Sequence, residues 1–216
     1  MRHVFRDRCL MKIPSLAPLR RQTEPFDDPD WIYEIKHDGF RALAIIERGT
    51  CRFFSRKNHT LAGYRELGEA VAREAKARTA ILDGELVVAN PEGRTVFASM
   101  MQRGRHPVRY FAFDLLWLDG KDLRLLPLLR RKALLKRILP SRSAHLLYVR
   151  HLKGKGRWLY QRVCELDLEG IVAKHGASVY QARQSRNSWI KIKNPEYSQK
   201  AGRHEWFDRF RKKAKA

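Results

Sequence analysis

The sequence predicts an α+β fold, in which antiparallel sheets are flanked by a small number of helices. Short apolar segments with alternating polar residues recur along the chain, which is the pattern of half-buried strands. Apolar residues at helical spacing occupy the segments 62–78, 127–139 and 157–166. Turn signals such as Asp-Gly and Asn-Pro separate the strands. Many short strands with few helices between them are typical of this fold class.

Composition and charge point to one class of partner. The chain has 216 residues, 44% of them hydrophobic, which is enough for one sizeable domain or two small ones. Lysine and arginine total 45 against 23 aspartate and glutamate residues, so the formal net charge is +22. A globular domain this basic usually meets a polyanion, and nucleic acid is the first candidate. A surface charged only for solubility is the alternative, but it needs less charge than this.

The cysteines and the apolar runs bear on the location of the protein. Cys9, Cys51 and Cys164 are scattered and form no CxxC pair, which predicts a reducing cytoplasm and neither a disulfide frame nor a zinc site. No apolar run approaches the roughly 20 residues of a membrane span. The N-terminus is charged throughout and lacks the apolar core of a signal peptide. We therefore expect a cytoplasmic protein that contacts no membrane.

The first strand, residues 31–36, ends on a lysine that is followed at once by a turn at Asp38-Gly39. Because strand side chains alternate between faces, Glu34 and Lys36 lie on the same face. A lysine fixed in this way can be a nucleophile, but only as the free amine, so cations or burial must lower its pKa from about 10.4. The alternative is an ordinary surface lysine, which this stretch alone favours.

The next strands bring two carboxylates into apolar surroundings. Asp83 and Glu85 share one face of the most apolar of these strands with Ile81 and Val87. Burying two carboxylates there is costly unless they bind something. For Asp83, a role in a site and support of a turn both remain open. The strands of this part are predicted at residues 40–46, 51–55, 80–89 and 108–118.

The last strands carry an acid and a pair of lysines. Glu169 is the first residue of its predicted strand. In the final strand, alternation directs Ile190 and Ile192 toward the core, while Lys191 and Lys193 point together the other way. The strands of this part are predicted at residues 146–149, 169–174 and 189–193.

The chain is expected to divide into three parts. Residues 1–30 are a basic, proline-rich lead-in that packs on the domain. Residues 31–195 form the domain itself. Residues 196–216 are a basic tail that frays or touches nucleic acid.

Polar groups stand at the ends of several otherwise apolar strands, and together they would make a phosphate-handling site. If they face one cleft, they supply a lysine nucleophile, carboxylates for a divalent cation and lysines for phosphate. The two lysines of the final strand would lower the pKa of the nucleophilic lysine and neutralise an α-phosphate. The groups are Lys36 with Glu34, Arg56, Asp83 with Glu85, Glu169, and Lys191 with Lys193.

Six short motifs occur in an order that resembles that of the covalent nucleotidyltransferases, which are the ATP-dependent DNA ligases, RNA ligases and mRNA capping enzymes. Together they span roughly residues 14–195. The segments at 26–31 and 111–120 make the likeness to the ligase domain of bacterial end-joining DNA ligases the strongest. The motifs are Lys36-His-Asp-Gly39, Phe54-Ser-Arg56, Leu82-Asp-Gly-Glu85, Tyr110-Phe-Ala-Phe-Asp114, Glu169-Gly-Ile-Val172 and Trp189-Ile-Lys-Ile-Lys193.

The resemblance implies a role for each matching residue. Lys36 would attack the α-phosphate of ATP and carry AMP as a phosphoramidate. Glu169, together with Glu85, would hold Mg²⁺ or Mn²⁺. For Phe113, which would stack on adenine, a place in the core is the alternative. The other roles are Glu34 at the adenine end, Glu85 on the ribose hydroxyls, Lys191 and Lys193 on the α-phosphate, and Arg41 and Arg56 on the nucleotide and the 5′-phosphate of nicked DNA.

The same resemblance implies an adenylation domain at residues 31–195, with its sheets around a nucleotide cleft, in a bacterial protein associated with the nucleoid. The expected function is a minimal ATP-dependent DNA ligase, or the adenylation module of one, that joins 5′-phosphate to 3′-hydroxyl ends of nicked or broken double-stranded DNA in repair. The alternatives are a DNA-end-binding accessory without chemistry, an RNA ligase and a GTP-using capping-type enzyme.

One departure from the family pattern concerns the OB-fold, the nucleic-acid-binding barrel that follows the adenylation domain in these DNA ligases. Only 23 residues follow Lys193 in this sequence, too few for such a barrel, so we expect none. Three possibilities follow. The basic surface replaces the barrel, or the protein seals adenylated nicks while loading AMP poorly, or a separate OB-fold or end-binding protein completes it.

Overall fold

The computed structural model describes residues 13–88, 107–180 and 188–200, which form two β-sheets with helices packed on their outer sides. The strands are β1 (Arg20–Gln22), β2 (Trp31–Ile35), β3 (Phe40–Glu47), β4 (Thr50–Ser55), β5 (Thr79–Val88), β6 (Val108–Leu118), β7 (Lys121–Asp122), β8 (Leu146–Tyr148), β9 (His151–Lys153), β10 (Gly170–His175) and β11 (Trp189–Lys193). The helices are α1 (Arg65–Glu74), α2 (Leu128–Ile138) and α3 (Gly156–Glu165), with 3₁₀ turns at Ala62–Tyr64 and Ser198–Lys200.

The α+β prediction is confirmed, and the pairing within the sheets is mostly antiparallel. The first sheet has the strand order β1-β11-β10-β2-β9, and the second has the order β4-β3-β5-β6-β7 with β8 beside β6. Two pairs, β1 with β11 and β6 with β8, are parallel. Each pairs a three-residue strand with a strand that is distant along the chain, since parallel neighbours need a long connection.

Three apolar clusters hold the sheets and helices together. One lies between the second sheet and helices α1 and α2, and contains Leu82 and Leu86 of β5. A second joins the two sheets through Ile32 and Trp189 on one side and Leu43 on the other. The third packs α3 on the first sheet. The two sheets are therefore fixed relative to each other, and a cleft remains between them where polar side chains replace the apolar ones.

The helix predicted over residues 62–78 is shorter in the structure, and a tertiary contact explains why. A 3₁₀ turn precedes α1, and the helix ends at Glu74 because Ala75 adopts an extended backbone. The next residue, Lys76, donates its backbone N–H to the carbonyl of Ile138 at the end of α2. A hydrogen bond to the neighbouring helix thus replaces the continuation that the local pattern favours.

Part of the lead-in belongs to the first sheet, since β1 pairs with β11 along its whole length. Ala17 just before it is buried and donates its N–H to the hydroxyl of Tyr180. Residues 1–12, the predicted turn at residues 90–93 and residues 201–216 of the tail lie outside the described residues. None of the helices within the described ranges is long and apolar enough to span a bilayer.

A buried ion pair ties α2 to the second sheet. Arg131 and Asp114 are both fully buried, and the guanidinium donates to both carboxylate oxygens at 2.8 Å. Arg131 also donates to the carbonyls of Leu126 and Ser178. The guanidinium thus makes four hydrogen bonds, and such bonds are what allow two charges to lie in the interior. This contact sets the position of α2, from which Lys132 reaches the cleft.

Candidate active site

Lys36 lies directly after β2 and is held there by its backbone. Its N–H donates to the carbonyl of Gly170 on β10 at 2.9 Å, so the lysine continues the sheet by one residue. The turn that follows packs against β5, and a Cβ at Gly39 would lie 2.1 Å from the carbonyl oxygen of Leu86. Gly170 has a φ of +145° and equally close backbone neighbours. These contacts explain why both motifs contain glycine.

One carboxylate brings the predicted nucleophile and one of the predicted phosphate-binding lysines together. An oxygen of Glu169 lies 2.5 Å from Nζ of Lys36, and its other oxygen lies 3.1 Å from Nζ of Lys193. The side chain of Glu169 is 2% exposed, that of Lys36 17% and that of Lys193 39%. The carboxylate is therefore at the floor of the site, and the two ammonium groups stand above it toward solvent.

Lys191 is part of the same electrostatic environment. Its pKa is lowered by burial and then by the positive charges of Lys193, Lys36 and Arg56, while Glu169 opposes the shift. Three other cations are therefore close enough to repel a proton from this lysine. Arg56 is exposed at the end of β4. A polyanion placed among these groups would relieve their mutual repulsion.

The register of the first sheet explains how residues far apart in sequence share the cleft. Arg21, Lys191, Val172 and Glu34 are consecutive partners across β1, β11, β10 and β2. Partners in register point to the same face of a sheet. The predicted alternation of β11 is confirmed by this arrangement, because Ile190 and Ile192 lie in the opposite-face cluster.

The first cleft lies between the two sheets and is closed at one end by aromatic rings. Phe113 lies edge to face with Trp189, with 6.1 Å between ring centroids. The ammonium of Lys174 lies 4.1 Å from the centroid of each ring, which is cation–π distance. The side chains that line this cleft are Leu19, Glu34, Ile35, Lys36, His37, Arg41, Glu85, Phe113, Val149, Val172, Lys174 and Trp189.

Both carboxylate oxygens of Glu34 accept hydrogen bonds from buried lysines. One of its oxygens accepts from Lys132 at 2.5 Å and the other from Lys174 at 2.6 Å. Burial alone would raise the pKa of Glu34, but the two lysines lower it below its usual value. Burial lowers the pKa of Lys174, and the single carboxylate offsets this only in part because Lys132 shares it. The triad thus holds one more positive than negative charge.

Arg41 and Asp83 form a second internal pair beside the cleft. Arg41 donates to both oxygens of Asp83, at 3.1 and 2.7 Å, and to the carbonyl of Ala17. Burial lowers the pKa of Arg41, but Asp83 raises it above the ordinary value. Tyr180 donates to the same carboxylate at 2.7 Å. Asp83 therefore holds Arg41, a side chain that lines the cleft, which favours a role beside the site over support of a turn; a nucleotide or DNA contact of Arg41 stays a prediction.

Glu85 on β5 is the register partner of Arg41 on the adjacent strand β3. Burial raises the pKa of Glu85 to about 7, and Glu169 adds to the effect while Lys36 and Arg41 oppose it. The two carboxylates predicted to hold a metal are therefore close enough to sense each other's charge. His37 lies in the same cleft, and burial lowers its pKa to about 4, so the ring is neutral near pH 7.

The sequence indicated most of this arrangement but missed several contacts. The predicted residues Glu34, Lys36, Arg41, Glu85 and Phe113 all line the first cleft. Lys191, Lys193 and Glu169 line a second, adjoining cleft, and the Lys36–Glu169 contact joins the two. The contacts missed are those of Lys132, Lys174 and Tyr180. For Lys174 a signal existed, since it alternates with Val172 on β10.

Comparison with known proteins identifies the family. A family model described as the ATP-dependent DNA ligase domain matches residues 14–193. The chain belongs to the ATP-dependent DNA ligase domain family. The predicted resemblance is thereby confirmed.

Two relatives show how much of a longer protein this ligase domain represents. It is 36% identical over 185 residues to the multifunctional non-homologous end joining protein LigD of Pseudomonas aeruginosa, covering 83% of this chain and 22% of that protein. It is 28% identical over 181 residues to the prophage-derived DNA ligase-like protein LigB of Bacillus subtilis, covering 82% of this chain and 66% of that one. The chain thus spans about a fifth of the length of the first relative.

The solved structures agree with the fold. A structure of mycobacterial DNA ligase D complexed with ATP and MES superposes with a TM-score of 0.70 at 30% identity, over 83% of this chain and 60% of that one. The ATP-dependent DNA ligase of bacteriophage T7 gives a TM-score of 0.55 at 15% identity, which supports the fold alone. The two-sheet architecture is therefore that of the ligase nucleotidyltransferase domain.

The raised pKa of Glu85 predicts an unusual pH dependence of stability in this ligase domain. Between pH 4.5 and about 7 the folded state keeps a proton that the unfolded state has lost, so the free energy of unfolding falls as pH rises through that window. We expect Glu85→Gln to remove this fall and to stabilise the protein at pH 8 by roughly 2 kcal/mol.

Urea unfolding in metal-free buffer at pH 5 and pH 8 measures the effect. Glu66→Gln on the exposed face of α1 is the matched control, and its pH dependence should equal that of the wild type. Equal pH dependence in wild type and Glu85→Gln would contradict the prediction.

Proposed function

We propose that this chain is the adenylation domain of an ATP-dependent DNA ligase, or a minimal form of that enzyme, in which Lys36 becomes covalently linked to AMP. The observation that carries the proposal is the contact of Glu169 with both Lys36 and Lys193, at 2.5 and 3.1 Å. The predicted nucleophile, a carboxylate and a lysine able to bind phosphate meet there, and phosphoryl-type transfer depends on such positioning and charge neutralisation. Family membership supports the same reaction class.

The first step forms one bond and breaks one. The Lys36 ammonium first loses a proton to solvent, and the free Nζ lone pair attacks the α-phosphorus of ATP. The P–N bond forms while the P–O bond to the β-phosphate breaks, and its electron pair leaves on pyrophosphate. The nitrogen then releases a second proton to solvent. Lys193 and Lys191 neutralise the charge on the α-phosphate oxygens as it grows.

Glu169 and Glu85 are the residues that would hold Mg²⁺, or Mn²⁺ in its place. Glu169 and Glu85 are close enough for Glu169 to raise the pKa of Glu85, and a divalent cation would remove that repulsion. Among the described residues, no group of three or more His, Cys, Asp or Glu side chains is placed to hold a metal. The phosphates of ATP would therefore complete the coordination, which is the usual situation for Mg²⁺. When bound, the metal supplies further neutralisation of phosphate charge.

The first cleft is the place we assign to the nucleoside. Phe113 and Trp189 give it an apolar end, and Glu85, which lines the same cleft as Lys36, would bind the ribose hydroxyls. Glu34 would frame the adenine end through the position of its two lysines, because both of its oxygens are already bonded. Arg41 also lines this cleft and would contact the nucleotide there.

The later steps require DNA. AMP would pass from Lys36 to a DNA 5′-phosphate, and attack by a 3′-hydroxyl would then join the ends and release AMP. The net charge of +22 supports binding of nicked or broken double-stranded DNA, and the exposed Arg56 is the residue we assign to the 5′-phosphate. A separate OB-fold or end-binding protein, and a location in the bacterial cytoplasm at the nucleoid, belong to the same proposal.

Covalent labelling tests the proposal directly. Protein incubated with Mg²⁺ and ATP labelled at the α-phosphate should retain the label through denaturing electrophoresis, whereas ATP labelled at the γ-phosphate should leave none. Excess unlabelled GTP should not compete, which would separate a DNA ligase from a capping-type enzyme. Salt-sensitive DNA binding without any covalent label would overturn the proposal in favour of an end-binding accessory.

A further inference from the structure

A second cleft, with a volume of about 540 Å³, adjoins Lys36. It begins at Glu169 and Lys193, which contact each other beside Lys36, and extends along β11 to the edge strand β1. Its lining comprises Arg21, Gln22, Thr23, Glu24, Pro25, Tyr160, Glu169, Lys191, Lys193, Asn194, Pro195 and Tyr197. The proposed α-phosphate and nucleoside contacts leave its far end unused.

Strand register places an arginine of the lead-in beside the phosphate-binding lysines. Arg21 is the in-register partner of Lys191 across the parallel pair of β1 and β11, so both side chains project from the same face of the sheet. Arg20 precedes it and pairs with Ile190, whose side chain lies in the cluster on the opposite face. Neighbouring arginines on β1 therefore face opposite ways.

The charges of this cleft favour an anion. Its cations are Arg21, Lys191 and Lys193, and its acids are Glu24 and Glu169. Glu169 is already engaged by two lysines. Within the described parts of the chain, the side chains of Arg21 and Lys191 have no hydrogen-bond or ion-pair partner, and burial together with the neighbouring cations lowers the pKa of Lys191. Two unpaired cations on one face, next to a site for one phosphate, suit further phosphates.

We propose that Arg21, flanked by Lys191, binds the pyrophosphate part of ATP in the second cleft and holds it as the leaving group. This inference rests on the proposed function, since it assigns the phosphates that follow the one attacked by Lys36. A guanidinium can donate two parallel hydrogen bonds to phosphate oxygens. It would also stabilise the charge that collects on pyrophosphate as the P–O bond breaks. The lead-in strand thereby becomes part of the active site.

Binding measurements test this without requiring the chemistry. We expect Arg21→Gln to weaken binding of ATP about tenfold and to weaken inorganic pyrophosphate similarly, because one charge-assisted contact is lost. Binding of AMP, which has no phosphate beyond the first, should be unchanged. Titration calorimetry with ATP, pyrophosphate and AMP measures all three. Arg20→Gln, on the other face of the same strand, is the matched control, and Arg21→Lys should recover part of the loss.

Each outcome either supports the proposed pyrophosphate subsite at Arg21 or overturns it. Equal ATP and pyrophosphate affinities in wild type and Arg21→Gln would overturn the assignment. Unchanged affinities with slower sealing of a pre-adenylated nick would do so too, because they place a DNA 5′-phosphate there. If the wild type takes no covalent label yet Arg21→Gln still loses ATP affinity relative to AMP, the proposed enzymatic function fails while the pyrophosphate subsite stands.

Discussion

Lys36→Ala is expected to reduce covalent AMP labelling of this protein to background, because the variant has no nitrogen to form the P–N bond. ATP binding should fall by much less than labelling, since Phe113, Trp189 and the lysines of β11 remain in place. Lys36→Arg should be equally inactive, although it keeps a positive charge next to Glu169. A guanidinium stays protonated at neutral pH and supplies no free lone pair.

The measurement is incorporation of label from α-labelled ATP, with ATP affinity determined in parallel. Lys121→Ala, an exposed lysine on β7 that lines neither cleft, is the control and should label like the wild type. Unfolding midpoints of the variants show whether the fold survives. Persistent labelling of Lys36→Ala would assign the covalent bond to another side chain and refute the role of Lys36.

The part of the site around Lys36 could be predicted because each of its residues lies at the start or the end of a strand that is recognisable from the local sequence. Lys36 ends an alternating apolar strand, Glu169 begins another, and Lys193 closes the clearest alternation in the chain. Period two fixes which face each side chain occupies, and the order of the motifs indicates that the faces converge. The Lys36–Glu169–Lys193 contact confirms that convergence.

The end of the first cleft that we assign to the nucleoside could not be predicted in the same way, because its charged side chains pair with residues that are far away in the sequence. Lys132 belongs to a basic run of α2, where the local pattern indicates a solvated helix face, yet it is buried against Glu34 at a separation of 98 residues. Arg131 beside it is buried against Asp114. No periodicity identifies these partners, since the contact depends on where α2 docks on the second sheet.

Within the described residues, the lead-in is another case where local sequence was insufficient. Its prolines and its charge predict an extended segment, but they do not predict a strand. β1 forms because β11 has an open edge, and edge strands accept any extended segment that can supply backbone hydrogen bonds. The identity of the paired residues then decides that Arg21, and not Arg20, shares a face with Lys191.

Glu34→Gln is expected to cause the largest loss of stability at the site, about 4 kcal/mol in the free energy of unfolding at pH 7. The substitution preserves shape but removes the one negative charge that, among the residues the structure describes, Lys132 and Lys174 both contact. Both ammonium groups are almost completely buried, and neither can turn to solvent. Two uncompensated charges in the interior cost more than one lost hydrogen bond.

The loss should depend on pH in a definite direction. Without the carboxylate, burial depresses the pKa of Lys174 further in the folded state, so the unfolded state binds more protons and stability rises with pH. The deficit of Glu34→Gln should therefore shrink between pH 7 and pH 9. Urea unfolding at both pH values measures it, with Glu69→Gln, an exposed residue of α1, as the control that changes little.

A second substitution separates charge from shape. Adding Lys174→Met to Glu34→Gln removes one of the two unpaired cations and should restore part of the lost stability at pH 7, because methionine fits the space between Phe113 and Trp189 without requiring a counter-charge. If the double variant is no more stable than Glu34→Gln, or if Glu34→Gln unfolds at the urea concentration of the wild type, the buried triad does not control the stability of the cleft.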